Sequence, residues 1–498
     1  MTKWRPKPTD YNNLVRDQNP WQTMGTVSEE LAPPVLRPLA NMLWETLLDT
    51  GLRRHQIILG PRRVGKTTVM YQTVKQLLDR QKNPRRLWWL RLDHPLLLDW
   101  PLGDLVRQIM AASPATLERP AYVFLDELTY ADNWDLWLKT FFDERWPVRI
   151  VGTSSATATI RQRGTESGVG RWDEQYLAPY LLTEYLDLKK VPYSMPCADS
   201  LGQTLHNWIE RKEPLPDLRE SRRHFLLTGG FPELLLHERP TDEASELLRS
   251  QRVLRTDAIE KALYKDIPQA FSIQDPAKLE RLLYVLAGQM TGVLSPNNVG
   301  KSLEMGAPTV DRYVDFLERA FIVFTLSNYS SSEEAIQRRG KRLYFVDGAV
   351  RDAALLRGIS PLSDTAEMGA LVENMAASHL RALAYQEQVR LYHWRNAKKC
   401  EVDLIYDHPD DPLAFEITVS RTHSQKAIEV FQEEHPRFRG CCYVIGDFDY
   451  IEQPTLDAPG RVPLDAFFLA VGCQTQKALQ NRLARAVSKE ADGQMLLF

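Results

Sequence analysis

Cysteine is scarce in this chain. Five are spread over 498 residues (Cys197, Cys400, Cys441, Cys442 and Cys473), an odd number with none of the paired spacings of a zinc site. That excludes a disulfide-stapled secreted scaffold and points to reduced thiols in a cytoplasmic setting. No apolar stretch approaches the roughly twenty residues a membrane-spanning helix needs. Met1-Thr2-Lys3-Trp4-Arg5-Pro6 opens no secretory leader, so no membrane partner is expected. An excess of one charge is missing too. The 62 basic and 65 acidic residues leave a formal net charge of −3, so contact with nucleic acid has to come from a local basic patch. Internal repeats and long low-complexity tracts are absent. What is there is a chain too long for one core, with apolar and charged residues interspersed as in globular domains.

The apolar run Ile57-Ile58-Leu59 leads into Gly60-Pro61-Arg62-Arg63-Val64-Gly65-Lys66-Thr67-Thr68. A buried strand, a G-x-x-x-x-G-K-T loop and a helix, in that order, make a phosphate-cradling Walker A loop. Gly60 and Gly65 permit backbone geometry that a side chain blocks. Successive N–H groups across residues 60–68 then face phosphate oxygens at a helix N-terminus. Lys66 reaches the β- and γ-phosphates, and Thr67 holds magnesium. The cofactors expected are therefore ATP and Mg²⁺. A second apolar run, Ala121-Tyr122-Val123-Phe124-Leu125, closes on Asp126-Glu127. At the C-terminal end of a parallel strand, Asp126 contacts the magnesium and Glu127 polarises the attacking water as general base. This arrangement resembles AAA-type ATPases, in which a polar residue ending the next strand senses the γ-phosphate. Thr153 and Ser154, in Arg149-Ile150-Val151-Gly152-Thr153-Ser154-Ser155, are the candidates. Arg171 is a candidate phosphate sensor or arginine finger, with an ordinary surface arginine as the alternative.

The overall pattern is α/β. Residues 1–33 read as a flexible arm and 34–188 as the P-loop core. In the core, strand-like runs at 57–59, 87–92, 122–125 and 148–151 alternate with helical stretches, the signature of a parallel sheet. Residues 189–276 read as a helical lid or connector. Residues 277–335 give helix, helix, turn, helix and strand, a winged helix-turn-helix. In it Thr309, Arg312 and Tyr313 face a duplex, with a plain packing module as the alternative. Arg338-Arg339-Gly340-Lys341-Arg342 is the best local basic cluster, although such a run is commonly a solvated loop. Residues 336–472 form a second α/β domain, and 473–498 a C-terminal helix and tail.

In that second domain an acid on a helix (Glu373) precedes an acid on each of two strands (Asp403, Glu416). The order resembles the PD-(D/E)xK restriction-endonuclease core, whose carboxylates bind catalytic magnesium. Thr418 stands where that core carries lysine, and threonine supplies no positive charge to the transition state. A degenerate core used for DNA or protein contact is the alternative. From about residue 36 to 445 the chain resembles the bacterial and archaeal AAA-type ATPases that carry a C-terminal domain of unknown function with such a core. The marks are G-P-R-R-V-G-K-T-T at Gly60, F-L-D-E at Phe124, G-T-S-S at Gly152, G-G-F-P at Gly229 and T-V-D-R-Y at Thr309. Y-F-V-D-G at Tyr344, L-V-E-N at Leu371, W-R at Trp394 and E-V-D-L at Glu401 complete the set. The resemblance implies ATP binding and hydrolysis, with a DNA-related role suspected in the family; genome maintenance, mobile-element or defence work all fit an ATPase acting on or near DNA. AAA-type folds often form rings, so a homo-oligomer is compatible. The end of the chain, Gln494-Met495-Leu496-Leu497-Phe498, resembles the short peptide by which replication and repair proteins dock on the bacterial sliding clamp. Leu497 and Phe498 would fill a pocket and Gln494 would orient the backbone. Rival readings are a metal-dependent nuclease gated by ATP, and a nucleotide-controlled protein-binding switch that never touches DNA.

Overall fold

The structure, a computed structural model, describes residues 8–49, 51, 53–80, 82–154, 170–210, 217–235, 243–271, 273, 275–338, 340–419 and 425–495. Contacts divide the chain into two compact units. One comprises residues 1–61, 65–177 and 479–498, and the other residues 62–64 and 178–478.

In the first unit the apolar runs become β1 (His55–Leu59), β2 (Leu87–Arg91), β3 (Ala121–Asp126), β4 (Val148–Ser154) and β5 (Trp172–Tyr176). All pair in parallel, in the order β2-β3-β4-β1-β5. A parallel sheet covered on both faces has to be apolar throughout, and β1, β3 and β4 are buried along their whole length. Connecting helices supply the cover. In Leu102–Ala112 the buried residues Leu102, Leu105, Val106 and Ile109 fall on one helical stripe. Parallel crossovers bring the C-terminal strand ends to one edge. Because β4 lies between β1 and β3, its end is flanked by the loop after β1 and the acids after β3.

Residues 8–24, expected to belong to a flexible arm, instead form the helices Pro8–Gln18 and Trp21–Met24. Asn19 Nδ2 donates to the Trp89 carbonyl at 2.9 Å, and its Oδ1 accepts from the Trp89 N–H at 2.6 Å. The fully buried Trp21 donates from Nε1 to the Leu87 carbonyl at 3.1 Å. These backbone groups belong to β2, which ends the sheet order. The segment thus caps an edge strand whose polar groups would otherwise be open.

In the second unit, helices precede and flank a seven-stranded mixed sheet. Its strands are β6 (Val323–Asn328), β7 (Arg342–Phe345), β8 (Leu391–Arg395), β9 (Glu401–Tyr406), β10 (Leu413–Ile417), β11 (Cys442–Gly446) and β12 (Gly460–Pro463). Their order is β12-β11-β10-β9-β8-β6-β7. The long helix Thr365–Glu387 starts at Asp364, whose carboxylate accepts from the N–H groups of Ala366 and Glu367. The helices Pro276–Ala287, Pro296–Leu303 and Ala307–Arg319, followed by β6, stand where a winged helix-turn-helix was expected. However, β6 pairs with β7 and β8, so it continues the large sheet. The boundary expected at 335/336 falls between two strands of that sheet. Among the described residues no helix is long and apolar enough to cross a membrane.

Candidate nucleotide site

The loop after β1 has the backbone that its glycines permit. Gly60 has φ 156° and Gly65 φ 96°, and Arg63 between them is left-handed at φ 64°. The helix Lys66–Asp79 begins directly after Gly65. Lys66 is buried, and its Nζ donates to the carbonyls of Gly60 and Pro61, each at 2.8 Å. The ammonium is thereby held over the loop. Val64 is fully buried, Thr68 is half-buried, and Thr67 is exposed.

Thr67 Oγ1 lies 3.2 and 3.1 Å from the two Asp126 oxygens at the end of β3. Thr153, in the last turn of the ladder of β4, donates to Asp126 Oδ1 at 2.6 Å. The same Thr153 hydroxyl accepts from the backbone N–H of Glu127 at 2.9 Å. Thr153 therefore ties the two acids together. Ser154, its buried neighbour, pairs with Leu59 in the ladder. Glu127 has φ 55°, a left-handed conformation uncommon for a side-chain-bearing residue and typical of functional sites. Burial raises the Asp126 pKa, against the hydrogen bonds from Thr153 and Thr67 and the charge of Lys66. Asp93, which follows β2, adds to the rise and was not singled out from the sequence. A hydroxyl beside one carboxylate fits magnesium, which takes one or two carboxylates and completes its shell with phosphate and water.

Other expected site residues lie elsewhere. Arg62 and Arg63 are engaged by carboxylates: Arg62 Nη2 donates to Asp266 Oδ1 at 2.6 Å, and Arg63 pairs with Asp257 and, at 3.6 Å, Glu233. Arg171, offered as a sensor or finger, is not brought to the loop. Its carbonyl accepts from the N–H of His55, at the opposite end of β1, and its side chain pairs with Asp143 at 2.8 Å.

The acids expected to bind metal in the second unit are also placed differently. Arg342 Nη1 lies 2.7 Å from Asp403 Oδ1 and 3.4 Å from Glu373 Oε1. The other Asp403 oxygen accepts from the Ile417 N–H at 2.8 Å, and the Tyr344 hydroxyl donates to Glu373 at 2.9 Å. Burial and the Asp403 charge raise the Glu373 pKa, while Arg342 opposes the rise. Glu416 is buried and registers with Val444 of β11. Among the described residues no group of three or more His, Cys, Asp or Glu could hold a metal ion. Glu373, Asp403 and Glu416 thus do not fit a metal, because the cation between two of them is Arg342. The same contact removes Arg342 from the expected DNA surface.

Tyr313 is corrected likewise. It is 7% exposed and shares the buried stripe of its helix with Val310, Val314 and Leu317. Thr309 is half-buried, and Arg312 and Lys341 are exposed. Arg339 and the Arg338 side chain lie outside the described residues, as do Leu497, Phe498 and the Gln494 side chain. The Gln494 backbone falls in the helix Leu464–Met495.

Comparison with known proteins gives matches in both units. Residues 53–186 match the AAA domain family, in keeping with the parallel sheet and glycine loop of this unit. Residues 219–362 and 368–453 match two domains of unknown function, DUF8612 and DUF4143. An uncharacterized protein of Methanocaldococcus jannaschii, MJ1544, is 22% identical over 384 residues, covering 76% of this chain and 78% of the relative. An uncharacterized protein of Mycobacterium tuberculosis, Rv2008c, is 27% identical over 205 residues, covering 40% and 43%. Among solved structures, a Walker-type ATPase of Pyrococcus abyssi aligns with a TM-score of 0.36 at 13% identity, covering 71% of this chain and 99% of that one.

Proposed function

We propose that the chain is a magnesium-dependent ATPase acting on or near DNA. The observation that carries the ATPase reading is the chain of contacts from Thr67 through Asp126 and Thr153 to the backbone of Glu127. Residues 60–68 bind the triphosphate through main-chain N–H groups. Lys66 exchanges its two loop carbonyls for phosphate oxygens, and Glu127 orients and deprotonates the attacking water. Thr67 and Asp126 would hold magnesium, which when bound neutralises phosphate charge. Thr153 is a positioning residue that fixes both acids.

The DNA part rests on the exposed Arg312 and Lys341 beside the three-helix segment. ATP turnover measured with and without single-stranded, duplex and branched DNA tests both parts. Glu127→Gln is expected to cut turnover by about 10²–10⁴-fold while ATP still binds. Wild-type turnover equal to that of Glu127→Gln would refute the hydrolytic role. Indifference to every DNA, with no salt-sensitive mobility shift, would remove the DNA part alone.

A second reading, a nucleotide-controlled protein-binding switch, is favoured by the burial of Tyr313 and Arg342, which takes two expected contacts out of any DNA surface. Docking of residues 494–498 on the sliding clamp rests on sequence alone. Equal capture by purified clamp of the full chain and of a chain lacking those residues would dismiss it.

A further inference from the structure

Away from the nucleotide site, two cysteines meet. Cys197 lies in the irregular segment between the helices Leu182–Lys189 and Leu201–Glu210, and Cys473 lies in the helix Leu464–Met495. Both are free and half-buried, and their thiols are hydrogen-bonded to each other. Independent contacts hold the same segment on the same helix. Lys477 Nζ donates to the Ala198 carbonyl at 2.7 Å and pairs with Asp199 at 2.8 Å. Gln474 Nε2 donates to the carbonyls of Ala198 and Ser200 at 2.9 and 3.0 Å. A cavity of about 530 Å³, lined by Asp187, Tyr193, Met195, Cys473 and Gln476 among others, opens beside the Cys473 end of the pair.

The two thiols are not equivalent. The hydrogen bond from Cys473 and, against burial, the Lys477 ammonium lower the Cys197 pKa. The Cys473 pKa is raised, first by that bond and then by burial. One sulfur is thus the readier thiolate and the other keeps its proton, the division of labour that thiol oxidation uses. Cys441 and Cys442 are both shifted upward by burial and are poorer nucleophiles.

We propose that Cys197 and Cys473 are a peroxide-responsive dithiol that closes to a disulfide and locks the 190–200 segment to the C-terminal helix. The Cys197 thiolate attacks one oxygen of hydrogen peroxide, and the O–O bond breaks. Cys197 sulfenic acid forms, and the departing hydroxide takes up the proton lost by Cys197 to become water. The Cys473 sulfur then attacks the sulfenic sulfur. The S–S bond forms, the S–O bond breaks, and the hydroxyl leaves with the Cys473 proton as a second water. Two thiols are oxidised by two electrons in all, and one peroxide is reduced to two waters. The contacts of Gln474 and Lys477 with Ala198 hold the neighbouring Cys197 beside Cys473, and closure forms an S–S bond of about 2.05 Å.

The test treats the reduced full chain with equimolar hydrogen peroxide, alkylates the remaining thiols under denaturing conditions, and maps the peptides by mass. Alkylation is expected to fall by two sites, with a Cys197–Cys473 linked peptide that dithiothreitol releases. Cys473→Ser is expected to stop at a Cys197 sulfenic acid trapped by dimedone, and Cys197→Ser to leave Cys473 unmodified. Five alkylated thiols after treatment, a disulfide joining any other pair, or no dimedone adduct on Cys473→Ser would each overturn the proposal. The wild-type measurement stands even if a variant fails to fold.

Discussion

Asp347 is a single carboxyl that holds a chain junction. Its two oxygens accept from the N–H groups of Gly230 and Ala349, at 2.8 and 2.7 Å. The Gly230 carbonyl in turn accepts from the Tyr180 N–H at 2.7 Å, and a side chain at Gly230 would meet the Tyr180 carbonyl at 2.4 Å. G-G-F-P and Y-F-V-D-G, two marks far apart in sequence, are therefore one packing unit. Burial moves the Asp347 pKa from 3.8 up to about 6. The folded state then binds the proton more tightly than the unfolded one, so the contribution of Asp347 to stability is full below about pH 4 and is lost as pH rises through about 6. The shift corresponds to about 3 kcal/mol. Chemical denaturation of the second unit between pH 4 and 7 is expected to show this decline, and Asp347→Asn to lessen it, the raised Asp352 and Glu373 keeping the remainder; parallel curves for the two proteins would refute it. Arg342 teaches the opposite lesson about reading residues singly. In sequence it ends a basic run. In the fold it opens β7 and points its charge at Asp403 and Glu373. Charge is legible in a sequence, but the side of a strand on which it falls depends on register.

At the scale of elements, legibility followed periodicity and length. β1 to β4 declared themselves because strands covered on both faces are continuous apolar runs. The helix Ala307–Arg319 was legible as a helix, yet which of its residues face outward was not: Tyr313 carries a polar hydroxyl but sits on the i, i+3, i+4 stripe with Val310 and Leu317. The helices of residues 8–24 were missed because two side chains, Asn19 and Trp21, make their contacts with the edge of β2 without any periodic stripe. Those contacts imply a measurable effect. Asn19→Ala leaves the Trp89 N–H and carbonyl without their partner and is expected to cost about 1–3 kcal/mol. Hydrogen exchange at the Trp89 amide should accelerate by the corresponding factor, with a smaller change at β4. Unchanged exchange at Trp89 would show that the edge is protected in some other way.

For the whole molecule, the glycine loop after β1 was the most legible part, because strand, loop and helix fall within twelve consecutive residues from Ile57 to Thr68. The tie between Asp126 and Glu127 was not, since the Thr153 hydroxyl comes from another strand, and only the order β3-β4-β1 brings it there. The two-unit architecture makes nucleotide binding observable without turnover. A ligand that binds only the folded state stabilises it by RT ln(1 + [L]/Kd), about 2.7 kcal/mol at a hundredfold excess over Kd. That stabilisation should act on the unit holding residues 65–177. Ten of the twelve tryptophans fall in that unit, while Trp208 and Trp394 fall in the other. Tryptophan fluorescence is therefore mainly a reporter of the unit with the P-loop. Mg-ATP is expected to raise the denaturant midpoint of the fluorescence transition, and Lys66→Ala to abolish the rise while keeping the ligand-free transition. A wild-type midpoint that ignores Mg-ATP would mean that the loop after β1 does not hold a triphosphate, and the ATPase reading would fail with it.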